Sequence, residues 1–146
     1  MIKKYIYFSL VSVLFSSINV AESKVYFINL KDGDIVENPI FIQFGLSGKG
    51  VAPAGVDKEN TGHHHLLINV KELDFSMPIP SSKNHLHFGG GQTETIIELP
   101  PGRHELQLVL GDLYHIPHSP PITSKKIKYK FNRCRNLFLS FHCSIF

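Results

Sequence analysis

Cysteine is nearly missing from this 146-residue chain: Cys134 and Cys143 are the two present, and both fall in the last stretch, 132–146. Two cysteines cannot build a disulfide scaffold. Residues 24–131 contain none, which excludes thiol catalysis there and leaves Met77 as the one sulfur donor. Charge of one sign is also scarce. The net charge is +3, and no Lys/Arg cluster supplies the electrostatic footprint that nucleic-acid binding needs. No window carries a helical apolar period of useful length. Neither a Gly-x-Ser-x-Gly elbow nor a His-Glu-x-x-His helix occurs, and the scattered Ser and Asp residues pick out no catalytic triad. The Gly89-Gly90-Gly91 triplet lacks the strand-to-helix setting of a phosphate loop. What remains is an ordinary globular composition, 42% hydrophobic, in a length suited to one domain.

The chain divides into three parts. Residues 1–23 read as a secretory signal peptide: Lys3 and Lys4, an apolar run over 5–15, then small residues at Ala21 and Ser23 for cleavage. The run falls short of the roughly 20 residues that a spanning helix requires. The expectation is therefore a periplasmic or secreted protein with no membrane span after cleavage; a retained anchor is the competing reading. Residues 132–146 form an atypical apolar tail without clear period, in which Cys134 and Cys143 could pair in an oxidising compartment. Between them, residues 24–131 balance 11 basic against 11 acidic side chains.

That middle span reads as an all-β, immunoglobulin-like antiparallel sandwich of about seven strands. Residues 24–30 are β-rich and end at the turn Lys31-Asp32-Gly33-Asp34. Ile40, Ile42, Phe44 and Leu46 alternate with Phe41, Gln43 and Gly45, and 47–62 reads as loop. His64, Leu66, Ile68 and Val70 mark one face of a third strand. Short strands over 85–88 and 93–99 follow. Leu106, Leu108 and Leu110 give the clearest alternation, and Ile127, Tyr129 and Phe131 define the last strand. Short strands with regular turn signals suit a sandwich.

Histidine is the residue in excess: nine are present, eight of them between His63 and His118. Side chains two apart on a strand share a face. His63 with His65, and His85 with His87, are thus same-face pairs about 7 Å apart along the strand. Two such pairs on neighbouring strands can surround one divalent ion. His115 and His118 lie in a Pro-rich segment able to close over them. The expected metal ligands are His63, His65, His85, His87, His115 and His118. All-imidazole ligation without sulfur points to Cu(II) or Zn(II) as the cofactor. Asp112 is a candidate ligand or orienting partner, and Asn84 and Glu94 are candidates for the orienting role. His64 shares the face of Leu66 and is expected to be buried and hydrogen-bonded; His104 is expected to be structural, and His142 to have no role.

Several runs of residues carry a family resemblance. They are 24–28 with 31–33, 44–48 through 50–55, Asn60-Thr61-Gly62-His63-His64-His65, the run 84–94 from Asn84-His85-Leu86-His87 through Gly89-Gly90-Gly91, and 108–121. On these the sequence resembles the bacterial family called domain of unknown function 4399. The resemblance implies an exported bacterial domain, assigns no activity, and stops before the tail.

Two classes of function follow. One is a non-enzymatic envelope protein that binds copper or zinc through the histidines. The other is an adhesive or scaffolding module whose partner is a cell-wall polymer or an envelope protein. Superoxide dismutase chemistry is a third, analogical reading, because copper-zinc dismutases also place His-x-His on a sandwich but with a different ligand pattern.

Overall fold

The computed structural model describes residues 22–131. The signal segment up to residue 21 and the tail with Cys134, His142 and Cys143 lie outside the described residues. Nine strands, and no helix, occur among them: β1 (Lys24–Phe27), β2 (Ile35–Val36), β3 (Ile40–Ser47), β4 (Gly50–Val51), β5 (Thr61–Ile68), β6 (His85–His87), β7 (Glu94–Ile97), β8 (Gly102–Gly111) and β9 (Ile127–Phe131). They form two sheets. One has the order β1-β3-β7; the other runs β2-β9-β8-β5-β4, with β6 also paired to β5.

Alternation makes the sandwich. On β3, Ile40, Ile42 and Phe44 are buried while Phe41 and Ser47 face out. On β8, Leu106, Leu108 and Leu110 point the same way and are fully buried. These side chains meet Val25, Leu66, Ile68, Ile127 and Tyr129 in one core between the sheets. Burial of such apolar surface supplies the main driving force for the fold. The all-β sandwich is as the sequence predicts. Its three-plus-six division of strands differs from the four-plus-three of an immunoglobulin constant domain.

Two features escape the sequence pattern. β2 and β4 are two-residue strands, each paired in parallel, to β9 and β5 respectively; such short pieces show no period. In addition, β5 is buried on both faces. Leu67, Val109 and Ile79 build a second small cluster, flanked by Val70 and Leu73, on the side away from the main core. The segment after β5 thus folds back over the outer face of the large sheet. That same outer face carries the odd-numbered histidines.

Candidate metal centre

β5 pairs with β8 on one side and with β6 on the other. Because its side chains alternate, His64, Leu66 and Ile68 enter the main core, whereas His63, His65 and Leu67 point to the opposite face. His65 stands opposite Val109 on β8 and opposite His87 on β6. His63 stands opposite Gly111. Four imidazoles converge here: His63, His65, His87 and His115, with one ligand nitrogen of each lying within 4.8 Å of the others. Their ring centroids are separated by 4.7 to 5.9 Å. His63 and His65 form a buried floor, His115 is half-buried, and His87 is exposed. The cluster opens to solvent on the His87 side.

Glycines make room for the rings. A Cβ at Gly111 would come within 3.0 Å of His65 Nε2, and one at Gly89 would overlap the His87 imidazole. The glycine triplet thus serves close approach of a ring rather than of a phosphate.

His115 arrives from a tight loop. Asp112 Oδ1 accepts hydrogen bonds from the backbone N–H groups of Tyr114 (2.8 Å) and Ile116 (2.9 Å). The His115 N–H donates to the Asp112 carbonyl, and the Ile116 carbonyl accepts from the Asp112 N–H. The loop holds His115 at φ +67°, a left-handed conformation that histidine tolerates better than most residues. Ile79 N–H donates to the His115 carbonyl at 2.9 Å and ties the loop to the second apolar cluster. Asp112 therefore shapes the loop that presents a ligand, and is not itself among the converging groups.

The nitrogen contacts limit what the cluster can be. His63 Nε2 lies 2.9 Å from His65 Nε2 and 3.1 Å from His115 Nδ1. An imidazole nitrogen holds either one in-plane proton or one in-plane lone pair. His63 Nε2 therefore cannot make good linear hydrogen bonds to both neighbours at once. A cation shared by the lone pairs removes that conflict. Nitrogens bonded at 2.0–2.1 Å to one ion lie about 3.4 Å apart in a tetrahedron and about 2.9 Å apart across a square edge. The two short contacts fall close to this range.

Burial, before any charge effect, favours the neutral form of His63, His65 and His87, which is the state that binds metal. Burial lowers His63 to about 4, helped by His115 and His87 and opposed by Asp112. Burial, then His63, His87 and His115, lower His65 to about 3. His87 is lowered by desolvation and by His115. Among the described residues, no protein group hydrogen-bonds the buried Nδ1 atoms of His63 and His65, so none of them supplies the orienting bond common behind metal-bound histidines.

The other expected ligands lie elsewhere. His85 shares the sheet face, but it stands opposite Leu67, two pairs further along, and its Nδ1 lies 2.9 Å from Ser82 Oγ. His118 sits against Gly62, with its Nε2 2.8 Å from where a Cβ would stand. Gly62 belongs to the Leu66 face of β5, so His118 is on the wrong side of the sheet. Burial, then Lys49, lower its pKa, opposed by Asp112. The two orienting candidates also act at a distance: Asn84 Nδ2 donates to the Ile68 carbonyl (2.7 Å), and Glu94 accepts from Gln43 on the other sheet. His64 is fully buried against Phe44, its Nδ1 3.3 Å from the Gln92 carbonyl. His104 is held between Asn69 Nδ2 and the Pro100 carbonyl. Both match the structural role expected of them.

Among the described residues, no helix is long and apolar enough to cross a membrane. No curated protein matches the chain. The endo-beta-1,4-mannanase from Thermotoga petrophila is similar in structure, with a TM-score of 0.46 and 18% identity over 79% of this chain and 21% of the mannanase chain. The present chain thus spans about a fifth of that enzyme's length. The family model described as "Domain of unknown function (DUF4399)" matches residues 42–131, well over half of the chain and all four converging histidines, and the chain belongs to that family.

Proposed function

We propose that this protein is an exported, non-enzymatic envelope protein that binds one divalent transition metal, Cu(II) or Zn(II), through His63, His65, His87 and His115. The observation that carries this reading is the His63 Nε2 position, 2.9 and 3.1 Å from two other ring nitrogens with a single valence to share between them. Four imidazole nitrogen donors without sulfur suit Cu(II) or Zn(II), and the general affinity order places Cu(II) ahead. Four protein ligands complete a tetrahedral zinc site and leave it no open position for catalysis. The exposed edge at His87 supports reversible loading rather than permanent burial of the ion. Export rests on the N-terminal signal pattern and on the character the family resemblance implies.

The test is elemental analysis of protein purified without an affinity tag, before and after loading with Cu(II) or Zn(II) and gel filtration. One equivalent of bound metal, lost in His63→Ala and His87→Ala, is the expected result. Protein that stays metal-free after loading refutes the reading.

A further inference from the structure

At the end of β8 away from the imidazoles, the first residues of β8 and the last of β9 line a groove of about 510 Å³. Its walls include Arg103, Lys128 and Lys130, with Ile35 and Tyr129 among the apolar lining. The strand register places Arg103 directly opposite Lys130. Like charges in that position repel across a separation of about 5 Å and destabilise the ladder. All three cations are exposed. The nearby carboxylates have other partners, although Glu105 shares the groove wall. Glu105, opposite Lys128, pairs with Lys126 at 3.0 Å. Asp32 accepts from the Lys128 backbone N–H, and Asp34 from that of Lys31. Among the described residues, Arg103, Lys128 and Lys130 make no ion pair within 4.0 Å. Behind the groove, on the core side of the same strands, the buried Tyr129 ring stacks on His104, which Asn69 and Pro100 hold in place. Beside it, Ile35 is 66% exposed.

A repulsive cation pair beside a concave, partly apolar surface is what a site for an anion requires before the anion arrives. We infer that this groove binds an organic anion carrying two or more carboxylate or phosphate groups on a ring or apolar body. One anionic group bridges Arg103 and Lys130, with the guanidinium fork suited to either chemistry. A second reaches Lys128, about 7 Å along the strand, while the body rests on the exposed Ile35. The volume lies within the range of small-molecule sites. Arg103 is about 27 Å along β8 from Gly111, so this site is separate from the imidazole cluster and does not depend on metal.

The experiment is an amide NMR titration with two probes, citrate for the carboxylate source and fructose 1,6-bisphosphate for the phosphate source. It compares the wild type with an Arg103→Ala/Lys130→Ala double variant and with a charge-matched Lys71→Ala/Lys83→Ala double. Saturable shifts confined to 103–105, 128–130 and Ile35 are expected for at least one probe, and the probe that saturates identifies the anionic group. Affinity should fall by about tenfold or more in the first double and by less than about twofold in the second. The melting temperature of the first double should be equal to or above that of the wild type, because the repelling pair is gone; this separates lost binding from lost folding. Binding should be the same in His63→Ala protein, whatever becomes of the metal. Shifts that never saturate, or equal losses in the two doubles, overturn the inference.

Discussion

His65 stands directly opposite His87 in the β5–β6 ladder, and the same register sets His85 against Leu67. A displacement of two positions along a three-residue strand thus decides which histidine of the His-x-His reaches the cluster and which bonds to Ser82 at its rim. The expected consequence is a sharp contrast between neighbours. His87→Ala should lower metal affinity on the order of 100-fold, with metal-free stability within about 0.5 kcal/mol of wild type because the ring is exposed. His85→Ala should leave metal affinity unchanged. Competition titration against a chelator of known affinity measures both, and equal losses would show that the ladder is misaligned.

The glycines that admit the rings offer a second test. A methyl group at Gly89 meets the His87 imidazole, and one at Gly111 meets His65. His87 can swing into solvent, so Gly89→Ala should weaken metal binding and barely change stability. His65 is buried and cannot move as easily. Gly111→Ala should therefore weaken binding and also cost about 1–3 kcal/mol of stability, the usual range for overpacking. Urea denaturation of the metal-free variants, set beside their metal affinities, separates the two effects.

Much of this was legible in the sequence, for identifiable reasons. Ile40, Ile42 and Phe44, and Leu106, Leu108 and Leu110, announce their strands because one face of each is buried and the side-chain period is two. The same rule placed His63 and His65 together. It could not choose between His85 and His87, because register is set by pairing with β5 and not by the local run. Nor could it separate His115 from His118. That choice depends on Asp112 closing a five-residue loop and on Pro117 bridging to Gly111, contacts that no periodicity encodes. Gly89 was visible only as part of a triplet; its meaning appears once the ring two residues earlier is seen lying over it.

The Asp112 loop yields a third prediction. Its Oδ1 holds two backbone N–H groups, those of Tyr114 and Ile116, on either side of His115. Asp112→Ala leaves both without that acceptor, which costs about 1–3 kcal/mol if they stay dry and frees His115 from its left-handed conformation. Metal affinity should drop with it. Asp112→Asn retains an acceptor oxygen in the same place and should restore most of the binding. If Asn and Ala behave alike, the carboxylate acts through its charge on the cluster rather than through the loop.

Acid should unfold the metal-free protein through the two floor histidines. In the unfolded chain a histidine titrates near 6.5, whereas in the folded state His63 is lowered to about 4 and His65 to about 3, chiefly by burial. Between those values the unfolded state binds more protons, so stability rises with pH. The contribution of these rings is complete above about pH 6.5 and is lost as pH falls through the interval down to 3–4. With both rings titrating, the limiting slope is two protons per molecule, about 2.7 kcal/mol per pH unit. Urea midpoints measured at several pH values between 7.5 and 4.5 should trace that decline. His65→Gln, which removes the more strongly lowered ring, should reduce the slope by about one proton. A midpoint that stays level down to pH 4.5 would mean that the floor is hydrated and open, and a hydrated floor could not hold its imidazoles in the neutral, converging arrangement on which metal capture depends.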